Sequence, residues 1–102
     1  MKINPVKISK QAIEEIKNIQ QNKNIPEGYK LRIGIKGGVG CAGVNYVIGF
    51  DQPTEFDNEF EMDGVPVIVD KRHTMFLIGV KLDFYNGSDA KGFRFSKSEN
   101  LS

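Results

Sequence analysis

Tyr29-Lys30-Leu31-Arg32-Ile33-Gly34-Ile35-Lys36-Gly37-Gly38-Val39-Gly40-Cys41-Ala42-Gly43-Val44-Asn45-Tyr46-Val47-Ile48-Gly49-Phe50 is the stretch whose pattern decides the fold. In its first part Tyr29, Leu31, Ile33 and Ile35 alternate with Lys30, Arg32, Gly34 and Lys36, the period of a half-buried strand. Beyond the glycines, Val44, Tyr46, Ile48 and Phe50 alternate with Asn45, Val47, Gly49 and Asp51. Two strands joined by a short glycine-rich connection predict an antiparallel hairpin, with Cys41 at or near its tip. Residues 37–43 hold four glycines and the only cysteine of the chain. Glycine costs backbone entropy in a strand, so this concentration marks positive φ or the close approach of a ligand.

Upstream of the hairpin, Ser9 is a good helix N-cap, and Ile8 and Ile13 occupy the two positions of a hydrophobic staple. Ala12, Ile13, Ile16 and Ile19 trace one apolar stripe, with Glu14, Glu15, Lys17 and Asn18 on the wet side. The spacing predicts a helix over roughly 9–22, packed on a sheet and stopped by Pro26 and Gly28. Downstream, Asp51-Gln52-Pro53-Thr54 breaks the strand pattern, and Phe56, Phe60 and Met62 point to another strand around 58–62. Asp63-Gly64 is a two-residue hairpin turn leading into the strand Val65-Pro66-Val67-Ile68-Val69. Pro66 cannot donate to a ladder, which predicts an edge or a bulge there. Asp70 can cap a short helix over about 71–78, closed by Gly79, with Met75, Phe76, Ile78 and Leu77 packing inward. Val80, Leu82 and Phe84 alternate again, Asn86-Gly87-Ser88 turns the chain, and Phe93 and Phe95 flank Arg94 in a last short strand. These elements predict an α+β domain, mixed or mainly antiparallel, with one N-terminal amphipathic helix and one short internal helix. A single domain over residues 1–102 is expected, with flexible tails at 1–6 and 96–102.

The composition is 39% hydrophobic and 26% charged, with a net charge of +1, that of a globular chain without a basic face. It argues against nucleic acid and anionic membranes as partners. No run is long and apolar enough to cross a bilayer, and the N-terminus lacks the apolar core of a signal peptide. A single cysteine forms no internal disulfide and suits a reducing compartment, so the expected location is the cytoplasm.

Each motif has a bland counterpart. Gly38-Val39-Gly40-Cys41-Ala42-Gly43 matches G-x-G-x-x-G letter by letter, but that fingerprint must open a helix, and Val44-Asn45-Tyr46-Val47-Ile48 is strand composition. Cys41 and His73 have the residue types of a nucleophile and base. However, His73 lies in the charged sequence Lys71-Arg72-His73 without an evident orienting partner, and an exposed surface histidine is expected instead. The acids Asp51, Glu55, Asp57, Glu59, Glu61 and Asp63 lack calcium-loop spacing and read as a solvated face. Cys41 itself fits two descriptions: a soft-metal or cluster ligand on a sterically open loop, or a small buried hydrophobe.

The ordered set of Leu31-Arg32-Ile33-Gly34-Ile35-Lys36, Gly40-Cys41-Ala42-Gly43 with Tyr46 beyond it, Asp63-Gly64-Val65-Pro66-Val67-Ile68-Val69-Asp70, Leu77-Ile78-Gly79-Val80-Lys81-Leu82-Asp83-Phe84 and Gly92-Phe93-Arg94-Phe95 resembles the A-type iron–sulfur carrier family, the HesB/IscA-like proteins. The resemblance runs from about Lys7 to Phe95. It implies a compact β-rich fold, often dimeric or tetrameric, that holds iron or a cluster for delivery to apoproteins and is not an enzyme. The family's ligands are three cysteines, one in a Gly-Cys-x-Gly loop and two in a C-terminal Cys-Gly-Cys motif. Cys41, between Gly40 and Gly43, matches the first, while Ala42 stands where serine is common. Nothing matches the other two: an Asn-Pro-Asn segment and the cysteine pair would follow Phe95, whereas the chain reads Ser96-Lys97-Ser98-Glu99-Asn100-Leu101-Ser102.

A [2Fe–2S] cluster takes four ligands, and two copies of this chain supply only two thiolates. The others would come from a small thiol, a partner protein, or donors such as Glu99 or His73, unless the native chain continues past Ser102. The expected function is therefore an iron–sulfur cluster assembly or carrier protein with an incomplete ligand set. It would bind iron or a [2Fe–2S] cluster at low occupancy without an external thiol. Its expected partners are a second copy and apoprotein clients or assembly scaffolds. The alternative is a degenerate member that has lost cluster binding and acts as a binding or regulatory module.

Overall fold

The computed structural model describes residues 5–37 and 44–97. A two-residue strand, β1 (Lys7–Ile8), precedes the helix α1 (Lys10–Asn22). Four strands follow: β2 (Lys30–Gly37), β3 (Val44–Asp51), β4 (Asp57–Met62) and β5 (Val65–Asp70). A 3₁₀ turn (Lys71–His73) runs into the one-turn helix α2 (Thr74–Leu77), and β6 (Val80–Asn86) and β7 (Lys91–Lys97) complete the chain. The described strands form two sheets, one ordered β3-β2-β5-β4 and the other β1-β6-β7. Two of the pairings are parallel and three antiparallel, so this is an α+β fold with mixed sheets.

The hairpin predicted from the opening stretch is present. β2 and β3 pair antiparallel from Lys30↔Asp51 to Gly37↔Val44 without a register slip. The Asp63-Gly64 turn also forms as expected. Both residues have positive φ, 52° and 86°, the backbone that two-residue hairpins use to match strand twist. Pro66 is a different matter. It lies in β5, an interior strand, paired with Glu61 of β4 and one residue ahead of the β2 ladder, which begins at Val67. A missing N–H is tolerated there because the parallel ladder has not yet started.

The core is built from the inward residues of these elements. Leu31 and Ile33 of β2, Val65, Val67 and Val69 of β5, Leu82 and Phe84 of β6, and Ala12, Ile13 and Ile16 of α1 pack as one cluster with Val6, Leu77 and Val80. Each fully buried aliphatic contributes about 1.5–3 kcal/mol relative to exposure. Ser9 anchors the helix twice. Its Oγ accepts from Ala12 N–H at 3.1 Å, as a cap should, and donates to Asp83 Oδ1 at 2.7 Å. Its own N–H donates to Leu82 O at 2.9 Å, continuing the β1–β6 pairing.

Other sequence expectations change as well. Val6, placed in a flexible tail by the sequence, is buried, and β1, unforeseen, pairs with β6. At the other end Ser96 and Lys97 are rungs of β7, opposite Lys81 and Val80. In the short helix the inward residue is Leu77, fully buried, while Met75, Phe76 and Ile78 are 83%, 47% and 53% exposed. A single turn offers the core one position, and Gly79 at φ 85° then redirects the chain into β6. Finally, Asp57 is not on a solvated face but buried.

Candidate functional site

The β2–β3 hairpin carries the proposed site at its turn. Cys41, Gly40 and Gly43 lie outside the described residues, as does Glu99. The last hairpin rung, Gly37↔Val44, fixes where the cysteine-bearing connection leaves and rejoins the sheet. Two rungs below it, Tyr46 faces the core and meets Phe95 of β7, ring centroids 5.4 Å apart with planes at 31°. Phe95 is itself two rungs from the end of β7, where Lys97 pairs with Val80. This contact sets the turn end of the hairpin beside the strand that leads to Ser98–Ser102. The sequence showed both rings as inward strand residues but held nothing that paired them.

His73 is half-buried rather than exposed. A Cβ on Gly34 would come to 3.8 Å from its Nδ1 and equally close to Val47 Cγ2, so the imidazole lies over Gly34 on the outer face of the sheet. Gly34 is three residues below the end of β2, about 10 Å along the strand. Asp70, the nearest acid in sequence, is committed to Arg72, accepting from its backbone N–H at 2.8 Å, Nε at 3.0 Å and Nη2 at 2.7 Å. Those bonds hold the Asp70 carboxyl down at about 2. Among the described residues no group of three His, Cys, Asp or Glu side chains could hold a metal ion.

The outer face also holds an electrostatic lock that the sequence did not reveal. Arg32 of β2 reaches across β5 and forks onto Asp57 of β4, Nη1 to Oδ1 and Nη2 to Oδ2, both 2.7 Å. Its Nε donates to Asp51 at 2.9 Å. Beside it Lys30 pairs with Glu59. The two bridges straddle Ile68, which is fully buried on this face, and lysine and arginine stems cover apolar surface in this way. The Arg32 bond, supported by Thr54 N–H, holds the Asp57 carboxyl below its ordinary range against the opposing effect of burial. Position 32 looked like any polar residue of an alternating strand, and only the strand order brings it to Asp57.

Comparison with known proteins supplies what geometry alone does not. The sequence profile described as iron–sulphur cluster biosynthesis matches residues 4–102. The chain belongs to this family. Curated relatives from the same field include the iron-binding protein IscA of Salmonella arizonae and its counterpart in Salmonella paratyphi B. Each is 46% identical over 52 residues, covering 50% of this chain and 49% of the relative. The chain thus matches about half the length of these relatives. Among solved structures, a protein from Aquifex aeolicus is 35% identical with a TM-score of 0.69, covering 96% of both chains. Escherichia coli SufA, described as involved in biosynthesis of iron–sulfur clusters, superimposes with a TM-score of 0.79 at 24% identity, over 99% of this chain and 87% of its own. An IscA solved with a [2Fe–2S] cluster gives 0.68 at 20% identity, over 90% and 81%. These last two likenesses show the fold. No helix among the described residues is long and apolar enough to cross a membrane.

Proposed function

We propose that this chain carries iron or a [2Fe–2S] cluster as cargo during cluster assembly, without catalysing a reaction of its own. Cys41 is the thiolate ligand, and Gly40 and Gly43 leave space around it. The observation that carries the reading is the place of the sole cysteine. It falls in the connection of an unbroken β2–β3 hairpin, in a chain of the iron–sulphur cluster biosynthesis family. Thiolates suit iron–sulfur cargo, and a sterically open loop accommodates its bulk.

One cysteine per chain makes a second copy part of the site, with Cys41 from each. The remaining ligands come from a small thiol, from a client apoprotein or assembly scaffold, or from Glu99. His73 is the poorer candidate because it is held over Gly34, well below the hairpin turn. The proposed compartment is the cytoplasm, where a thiol stays reduced.

The experiment is anaerobic reconstitution with iron and sulfide, comparing wild type and Cys41→Ser with and without glutathione. Cys41-dependent iron and visible sulfur-to-iron charge-transfer absorption are expected, strengthened by the added thiol. The lack of a second cysteine favours one rival, a family member that has lost its cargo and serves as a binding module. Absence of the absorption under every condition, client protein included, would establish that rival and sink the carrier reading.

A further inference from the structure

The chain has three arginines, and two of them hold carboxylates: Arg32 grips Asp57 and Asp51, and Arg72 grips Asp70. Arg94 of β7 is different. It stands directly opposite Asp83 of β6, yet no ion pair joins it to any acid among the described residues. Its guanidinium lies instead over the Tyr85 ring, 4.9 Å from the centroid. That ring in turn covers Gly87, where an added Cβ would overlap it. Asp83 is held by one oxygen only: Oδ1 accepts from Ser9 Oγ at 2.7 Å and from Phe84 N–H at 2.8 Å. The Ser9 bond, first among several causes, keeps the Asp83 carboxyl below its ordinary range and therefore ionised. Its Oδ2 accepts from no described residue. Arg94, Asp83 and Tyr85, with Gln11 and Asn86, line a cleft of about 250 Å³ between the first turn of α1 and the β6–β7 hairpin. The cleft shares Gln11, Phe84 and Asn86 with a wider groove of about 570 Å³ along α1, whose walls include Glu14, Glu15 and Lys17.

We infer that this cleft binds a small zwitterion, a molecule with a carboxylate and an ammonium group a few ångströms apart, the chemistry of an α-amino acid. Arg94 takes the carboxylate and Oδ2 of Asp83 takes the ammonium, with the Gln11 and Asn86 amides beside them able to donate or accept. A guanidinium stacked on a ring is held flat while its edge keeps the N–H fork that fits a carboxylate. Side chains directly opposite on antiparallel strands start about 4.5–5.5 Å apart at Cβ, so the two charges face one cleft without touching. A lone anion there would meet the charge of Asp83, and a lone cation that of Arg94. A molecule bearing both signs is attracted by each and repelled by neither. The size agrees, since the cleft is smaller than the about 300–1,000 Å³ of sites for drug-sized ligands. Arg94 and Tyr85 are exposed, which makes the binding weak, in the millimolar range. Nothing in the inference depends on Cys41 or on the carrier reading, and it stands if that reading fails.

The probes are L-alanine, propionate and ethylamine, of which propionate lacks the ammonium and ethylamine the carboxylate. Each is titrated into isotope-labelled protein at fixed pH and ionic strength and followed by NMR. L-Alanine should shift the backbone signals of Tyr85 and Arg94 and the side-chain amide signals of Gln11 and Asn86, saturating below about 50 mM. Propionate and ethylamine should each bind about fivefold or more weakly. Arg94→Gln should bring L-alanine down to the affinity of ethylamine. Asp83→Asn, which keeps an acceptor for Ser9, should bring it down to that of propionate. Tyr85→Phe retains the stacking ring and should match wild type, whereas Tyr85→Leu should weaken L-alanine about threefold. An L-alanine response matched by propionate or ethylamine would overturn the inference. So would one that does not saturate, that falls on residues elsewhere, or that persists unchanged in Arg94→Gln.

Discussion

Replacing Asp57 with alanine should unfold this protein at a markedly lower temperature. The Asp57 side chain is fully enclosed while that of Arg32 is 21% exposed. The carboxylate accepts from both terminal nitrogens of Arg32 at 2.7 Å, from Thr54 N–H at 2.8 Å and from Thr54 Oγ1 at 3.2 Å. Its removal strands the Thr54 N–H and leaves Arg32 with Asp51 and the Gln52 carbonyl. Breaking a buried pair costs about 3–5 kcal/mol. The bonds that Arg32 keeps, and its partial exposure, place the loss at about 3 kcal/mol, the low end of that range. For a chain of this size that is a fall in Tm of about 12 °C or more. The pH dependence has a definite sign. The Asp57 carboxyl is held below its ordinary value in the folded state, chiefly by the Arg32 bond. Its stabilisation is complete above the unfolded value near 4 and is lost as pH falls through the folded one. Thermal melts followed by circular dichroism should show a gap between wild type and Asp57→Ala that is widest at neutral pH and narrows below about pH 4. A loss smaller than about 4 °C at pH 7, or a gap that widens in acid, would refute the reasoning.

Two further expectations can be checked by urea unfolding. Leu77→Ala should cost about 2–5 kcal/mol, whereas Met75→Ser and Phe76→Ser should change stability by no more than about 0.5 kcal/mol; equal effects would return all three to the core. Gly79→Ala should cost about 1–2 kcal/mol through its left-handed backbone alone, since an added Cβ meets nothing within 4 Å at φ 85°. Gly49→Ala, in a strand with equally open surroundings, should be neutral or stabilise by up to about 1 kcal/mol.

Those contrasts mark where the sequence was legible. Alternation over Tyr29–Ile35 and Val44–Phe50 was enough for the β2–β3 hairpin, because a period of two has one pleated solution when one face is apolar. Asp63-Gly64 and Ser9 were readable because turn and cap chemistry is local. β1 was not readable. Two residues have no period, and their partners Lys81 and Leu82 lie far along the chain. The run Met75-Phe76-Leu77-Ile78 was misread for a related reason. Four consecutive apolar residues do not say which one faces inward, and only the left-handed Gly79 and the position of β6 decide it. Asp57 looked like one acid among six until β5 came between β2 and β4 and brought Arg32 within reach. At the candidate site, the cysteine and its glycines were conspicuous as a composition anomaly, while the Tyr46–Phe95 contact depends on how two sheets meet.

The meeting of the sheets also bears on how one thiol per chain could serve a carrier. In the A-type pattern the second and third cysteines follow the last strand, and here that strand still ends beside the turn end of the hairpin. On the proposed reading, the junction that sets the cysteine-bearing hairpin beside the end of the last strand is kept. A cluster between two copies would then have two thiolates and two positions filled by weaker or external donors. Thiolate–iron exchange proceeds through such positions, because an incoming client cysteine needs a ligand that leaves readily. On the proposed reading, the same shortage that lowers occupancy also speeds transfer. In a chain that had lost its cargo the hairpin–strand junction would serve stability alone, and substitutions at Tyr46 and Phe95 would alter stability without altering anything at Cys41.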